Sequence, residues 1–169
     1  MQKKIVEQVA IRQFYHRLSV FAPWKPDNQS ILARCAETDL VAMNLGKYLK
    51  NEEEKESLLK VMKKHMSYLK EVHLDLVSES DIAPFVSFLD FVNFTHDCKF
   101  LSDGMKQASI ELIYVQVDTN NKFRNGIIRG EFIEALIRIA KAKYVDSGIE
   151  KKFDAALELL IEKCIKPNF

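Results

Sequence analysis

The sequence has few residues that break helices. It contains five glycines and four prolines among 169 residues. Tight turns need these residues and helix interiors avoid them, so their scarcity favours long helices over many short turns. Hydrophobic residues make up 47% of the chain, which is enough to build a core, and disorder along the whole chain is therefore not expected.

Cysteine is also scarce. Cys35, Cys98 and Cys164 lie far apart, are odd in number and form no CxxC pair of the kind that zinc sites and redox sites use. Free cysteines of this type are usually buried as small apolar side chains in a reducing compartment. We expect three free thiols with a packing role.

The sequence lacks an excess of charge of either sign and has no long apolar run. It has 25 lysines and arginines against 24 aspartates and glutamates. Nucleic-acid binding normally needs a cationic excess, so a nucleic-acid partner is not expected. No run of about 18 apolar residues occurs and the N-terminus has no apolar signal segment, so the expected location is cytoplasmic, without membrane contact.

Catalytic motifs are missing as well. The sequence has no glycine-rich phosphate loop, no nucleophile elbow and no HExxH. His65 and His73 lie eight residues apart on one predicted helix, too far to bind one ion. His96 lies beside Asp97 and Cys98 but has no second histidine or cysteine pair near it. We expect a protein that is not an enzyme and has no cofactor.

Apolar periodicity runs through most of the chain and predicts an all-α fold of about seven or eight helices. We expect one domain, 1–169, with 1–77 and 78–169 as alternative sub-lobes. Ser30, and then Thr38 or Asp39, are the expected caps of the second and third helices, and Pro84 is expected in the first turn of the aromatic helix. The predicted helices lie at 4–20, 31–36, from 38 or 39 to 49, from 51 to a break at 78–81, through the aromatic segment 85–94, and at 107–116, 131–143 and 149–165.

The stretch from Lys106 to Tyr144 has a more specific pattern. It reads as a helix, a polar loop at 117–130 and a second helix. If Glu131 is the last of twelve loop positions, Ile127 falls at the eighth, where an apolar residue allows two such loops to pair. The stretch resembles the EF-hand family, calmodulin-like, and more faintly EF-hand-like proteins of ciliary axonemes. The residues that carry the resemblance are Asp118, Asn120, Ile127, Glu131, Phe132 and Leu136.

The loop departs from that pattern in its charge. Lys122 and Arg124 occupy the third and fifth positions, where oxygen ligands belong, and neither side chain has a lone pair to offer. Between 118 and 130, three cationic side chains against one carboxylate give a net charge of +2. We therefore expect a unit without calcium. The alternatives are an irregular calcium loop at 118–131 with Asp118, Asn120 and Glu131 as ligands, or an ordinary helical hairpin.

Several large apolar side chains are candidates for binding a protein partner, such as an amphipathic helix. The alternative for each of them is burial in the protein's own core. On the predicted helix at 131–143, Glu134 and Arg138 are spaced for an ion pair and mark the polar side. A second, shortened hand between Leu74 and Phe94, with 78–81 as its loop, is a further hypothesis. The candidate partner-binding residues are Trp24, Phe85, Phe88, Phe91, Ile133 and Ile137.

These features favour a non-catalytic protein-binding adaptor that is EF-hand-like and independent of calcium. The likeness to axonemal proteins implies a cytoskeletal or ciliary location. The alternatives are a genuine calcium sensor that uses the loop at 118–131 and a structural scaffold subunit.

Overall fold

The computed structural model describes residues 27–80, 82–102, 105–119 and 125–169. Within these ranges the chain is helical and forms no β-strand, which confirms the all-α prediction. The predicted helix at 4–20 and Trp24 lie outside the described residues. The described residues form six α-helices: α1 (Gln29–Ala42), α2 (Glu52–Glu79), α3 (Phe88–Asp97), α4 (Gln107–Val117), α5 (Arg129–Ala140) and α6 (Phe153–Leu160).

The first helix corrects the expectation of two short helices at 31–36 and after 38. α1 is continuous from Gln29 to Ala42, and Asn28 rather than Ser30 caps it by accepting the Ile31 N–H at 2.9 Å. Thr38 and Asp39 lie inside α1, so neither begins a further helix, and the Asp39 carboxylate is buried and paired with Arg129. The residues after Ala42 leave the helix, although Leu45 and Leu49 are still buried in the core.

The long helix follows its prediction closely. α2 runs from Glu52 to Glu79, with three glutamates in its first turn where they face the positive end of the helix dipole. It packs against α1, α3, α5 and α6, so it lies at the centre of the fold. Its predicted apolar stripe is buried at Leu58, Met62, Met66, Leu69, Val72 and Leu76, whereas Leu59, which was also predicted for the stripe, is half-buried.

The aromatic helix begins later than predicted. α3 starts at Phe88, and Ser87 caps it by accepting the Asp90 N–H at 3.1 Å, so Pro84 lies in the preceding turn and not in the helix. Only one side of this helix is buried. Phe91 is buried, but Phe88 is 41% exposed and Leu89 is 65% exposed.

The last three helices lie in the predicted segments, although α6 begins at Phe153 rather than at 149. α4 is helical through Val117, so its β-branched cluster does not form a strand. α5 continues into a π-helical turn at Lys141–Val145, and α6 continues into another at Ile161–Ile165. Gly148, with φ of +76°, follows the first of these turns and ends the helical segment.

Buried residues from all six helices form one hydrophobic cluster. Phe132 lies at its centre and contacts the rings of His73, Phe91 and Phe94. The three cysteines are free, as expected, and burial raises the pKa of the Cys98 thiol to about 12. The core therefore holds this thiol in its unreactive protonated form.

Candidate functional site

Two loops meet at a short antiparallel bridge. The Val86 N–H donates to the Ile127 carbonyl at 3.0 Å, and the Ile127 N–H donates to the Val86 carbonyl at 3.0 Å. The Tyr114 hydroxyl also donates to the Val86 carbonyl, at 3.0 Å. These bonds connect the loop between α2 and α3 to the loop between α4 and α5.

The two bridged loops lead into their helices in the same way. In each case the residue after the bridge is the N-cap, and a carboxylate follows three positions later. In the first loop, Ser87 is the cap and its hydroxyl donates to Asp90 at 2.5 Å. In the second loop, Ile128 occupies the cap position, and Glu131 accepts its backbone N–H at 3.1 Å. Bridge, cap and carboxylate thus occur twice with identical spacing.

The predicted calcium ligands fall in different places. Asp118 ends α4, with its N–H bonded to the Tyr114 carbonyl at 3.0 Å. Glu131 lies in the first turn of α5, and its second carboxylate oxygen accepts the Thr119 hydroxyl at 2.9 Å. Asp118 and Glu131 therefore bracket the connection between two helices, as predicted. Asn120, together with the cationic residues Lys122 and Arg124, lies outside the described residues.

The polar side of α5 is buried rather than solvated. The predicted ion pair between Glu134 and Arg138 forms at 2.6 Å, but both side chains are buried. Glu134 also accepts the Asn44 N–H at 3.1 Å, and Arg138 donates to Gln116 at 2.9 Å. Buried charges need such partners because desolvation is costly. The charges of α5 therefore fix the segment after α1 against α4 and α5.

A second ion pair connects α1 directly to the start of α5. Arg129 donates to Asp39 through Nε at 2.9 Å and through a terminal nitrogen at 3.0 Å. This two-point geometry is the strong form of an arginine–carboxylate pair. The aspartate raises the pKa of Arg129, and Arg129 is thus neutralised by Asp39 and belongs to the scaffold.

The predicted partner-binding residues divide into two groups. Phe91, Ile133 and Ile137 are buried in the core, which was the alternative left open for them. Phe88 is 41% exposed, and Phe85 is half-buried beside the bridge. Trp24 lies outside the described residues.

The structure adds exposed apolar side chains that sequence reasoning missed. Leu112 is 57% exposed and Val115 is 62% exposed on the outer side of α4. The adjacent helix α3 exposes Phe88 and Leu89, and the Phe88 ring packs edge-on against Tyr114 of α4. The available signal was that α4 is apolar on both sides although only one side can face the core.

Comparisons of the chain with protein-family models, with curated proteins and with solved structures return no match. In the described ranges, every helix falls short of the length or the apolarity that crossing a bilayer requires.

Proposed function

We propose that this chain is a non-catalytic protein-binding adaptor built on two degenerate EF-hand-like units. The first unit is α2, its loop and α3, and the second is α4, its loop and α5. The observation that supports this most strongly is the repeated order of bridge, cap and carboxylate at 86, 87 and 90 and again at 127, 128 and 131. Paired loops of this family contact each other through their eighth positions, and Val86 and Ile127 would be those positions.

The proposed first unit modifies the hypothesis of a shortened hand. Counting back from Asp90 as the last position makes the loop run from 79 to 90, rather than from 78 to 81. The fifth position would then be Ala83, which has no side-chain oxygen. Both loops therefore have at least one ligand position that cannot hold a cation.

We also propose that the adaptor works without calcium. Glu131 would supply two oxygens to an ion in a working loop. Here one oxygen accepts the Ile128 N–H and the other accepts the Thr119 hydroxyl, so both are engaged by the protein itself. Lys122 and Arg124 add positive charge to the same loop, which opposes cation entry.

A calcium titration tests this part of the proposal. We expect no calcium-dependent heat and no change in melting temperature up to about 1 mM, the weak end of calcium sites of this type. Glu131→Gln should lower the free energy of unfolding by about 1 kcal/mol, equally with and without calcium, because it weakens a helix cap. Glu56→Gln, on an exposed side of α2, is the matched control and should change little. A calcium heat in the wild type that Glu131→Gln removes would support the calcium-sensor alternative instead.

The proposed partner is a protein that presents an amphipathic helix. Phe88, Leu89, Leu112 and Val115 expose apolar surface on two adjacent helices, and burying such surface is the main driving force of helix-in-groove binding. The cytoskeletal or ciliary location remains a proposal that rests on the likeness to axonemal proteins.

Substitutions on this surface test the partner site. We expect Leu112→Glu with Val115→Glu to remove a protein that wild-type chain retains from the native cell, because the new charges must be desolvated on binding. Ile149→Glu, at a side chain 63% exposed elsewhere on the protein, is the matched control and should retain the same protein. Equal retention of that protein by the wild type, the double variant and the control would contradict the proposed partner site. Sedimentation of the purified wild type shows whether the partner is a second copy.

A further inference from the structure

A histidine and two glutamates from distant parts of the sequence meet where α2 passes α6. His65 lies on α2, Glu158 lies on α6, and Glu162 lies on the π-helical turn that follows. One ligand atom from each of the three side chains lies within 4.8 Å of the other two. The His65 Nε2 is 3.6 Å from a Glu158 oxygen and 3.9 Å from a Glu162 oxygen.

The Nε2 atom of the His65 imidazole faces the two glutamates and makes no hydrogen bond. The side chain is 4% exposed, and Nε2 is buried without a hydrogen-bond partner. A buried polar atom left in this state costs about 1–3 kcal/mol. A neutral imidazole carries a lone pair on one ring nitrogen, which is the atom that binds a metal ion.

We propose that His65, Glu158 and Glu162 form a binding site for a divalent transition-metal ion, with Zn²⁺ as the preferred ion. An imidazole with two carboxylates suits zinc, which takes three protein ligands and leaves a fourth position for water. Ligand atoms about 2.1 Å from a tetrahedral ion lie about 3.4 Å from each other. The distances from Nε2 to the two carboxylates, 3.6 and 3.9 Å, are close to that value.

Two lysines compete with the ion for the carboxylates. Lys64 pairs with Glu158, and Lys166 pairs with Glu162 at 2.6 Å. Their side chains are 60% and 38% exposed, so both ammonium groups can turn into solvent when an ion enters. Because each lysine charge opposes a cation, removing one should strengthen zinc binding.

The site would connect the centre of the fold to its C-terminal helix. A ligand that binds only the folded protein stabilises it in proportion to the logarithm of its concentration. The π-helical turn gives Glu162 a register that differs from a regular α-helix, and such turns are frequent at binding sites.

The test is a zinc titration of the tag-free, full-length chain by calorimetry, with melting temperature as a second readout. We expect one equivalent of zinc to bind and to raise the melting temperature. Glu162→Gln should weaken binding by about tenfold or more, and Lys64→Gln should strengthen it by about fivefold. His96→Gln, at an exposed histidine beside Asp97, is the matched control and should leave binding unchanged.

Cobalt replaces zinc for a spectroscopic check of the ligands. We expect a cobalt complex without thiolate charge-transfer absorption, which excludes the three cysteines as ligands. His65→Gln should remove the complex. If that variant does not fold, Glu162→Gln and Lys64→Gln still decide the matter, because both change side chains that reach solvent. A wild type without zinc binding, a thiolate band, or zinc affinity unchanged in both surface variants would overturn the proposal.

Discussion

His73 shows at the level of one residue how burial alters chemistry. Its side chain is 8% exposed, lies against the Phe132 ring and has a buried Nε2 without a hydrogen-bond partner. Burial, with a smaller contribution from Arg129, lowers its pKa to about 4, and Asp39 opposes the shift. The folded protein therefore keeps this imidazole neutral over a pH range in which an exposed histidine is protonated.

This shift predicts a loss of stability in mild acid. The unfolded chain takes up a proton at His73 below about pH 6.5, and the folded chain does so only near pH 4. Stability is therefore complete above the unfolded pKa and falls as the pH drops toward the folded one. Between about pH 7 and pH 5 we expect His73 to account for a loss of about 2 kcal/mol. Urea unfolding at both pH values measures it.

The variant His73→Leu should lose this part of the pH dependence. Burial also lowers the pKa of His65, so this second histidine should leave a smaller pH dependence of stability in the variant. The exposed His96 provides the control, and His96→Gln should retain the wild-type pH dependence. An unchanged loss of stability in His73→Leu would show that the buried imidazole is not the titrating group.

At the level of elements, the bridge between the two loops depends on the close approach of Gly126 to the backbone at Val86. A Cβ added at Gly126 would lie 2.6 Å from the Val86 carbonyl oxygen and 2.9 Å from the Phe85 Cβ. The Val86 oxygen is backbone and is held by both Ile127 and Tyr114, so it cannot move aside cheaply. Glycine at 126 is therefore what permits the bridge between the loops.

Gly126→Ala should lower the free energy of unfolding by about 1–3 kcal/mol, because the added methyl group overpacks the bridge. Gly46→Ala is the matched control, since a Cβ at Gly46 meets no atom within 4 Å and its backbone needs no left-handed conformation. We expect the control to be neutral or slightly stabilising. Chemical denaturation of both variants measures the difference, and equal stabilities would contradict the role given to the bridge.

At the level of the whole molecule, α2 organises the core. It contacts four of the other five helices, and its buried side chains belong to the same cluster as those of α5 and α6. Leu69 is 0% exposed on this helix, whereas Leu74 is 51% exposed on its other side. The same substitution at these two positions therefore compares the core with the surface of one element.

Leu69→Ala should cost about 2–5 kcal/mol, because it removes buried methyl groups and leaves a cavity at the centre of the fold. Leu74→Ala should cost less than about 1 kcal/mol, since its side chain is already half in solvent. Thermal and urea unfolding of the two variants provide the comparison. A similar cost at both positions would mean that α2 is not the centre of the core.

Local patterns were enough to predict the long helix α2 and the segments of α4 to α6, but they divided α1 into two helices and began α3 too early. The apolar stripe of α2, the spacing of α4 and α5, and the stop at Gly148 follow from periodicity and turn chemistry, which depend only on neighbouring residues. The same reasoning placed Ile127 at a loop position suited to pairing. It did not identify Val86 as the residue bridged to it, because their register depends on how two helical hairpins pack.

The tertiary structure alone decided which polar and apolar groups are buried. Glu134 and Arg138 look like a solvated pair, yet packing against α4 and the segment after α1 buries them. Phe88 looks like a core residue, yet its side of α3 has no neighbour among the described residues that covers it fully. His65 lies close to Glu158 although 93 positions of sequence separate them, and the periodicity of a single helix cannot predict a contact between two helices. Burial and long-range contact are properties of packed elements, whereas helix formation is largely a property of the segment itself.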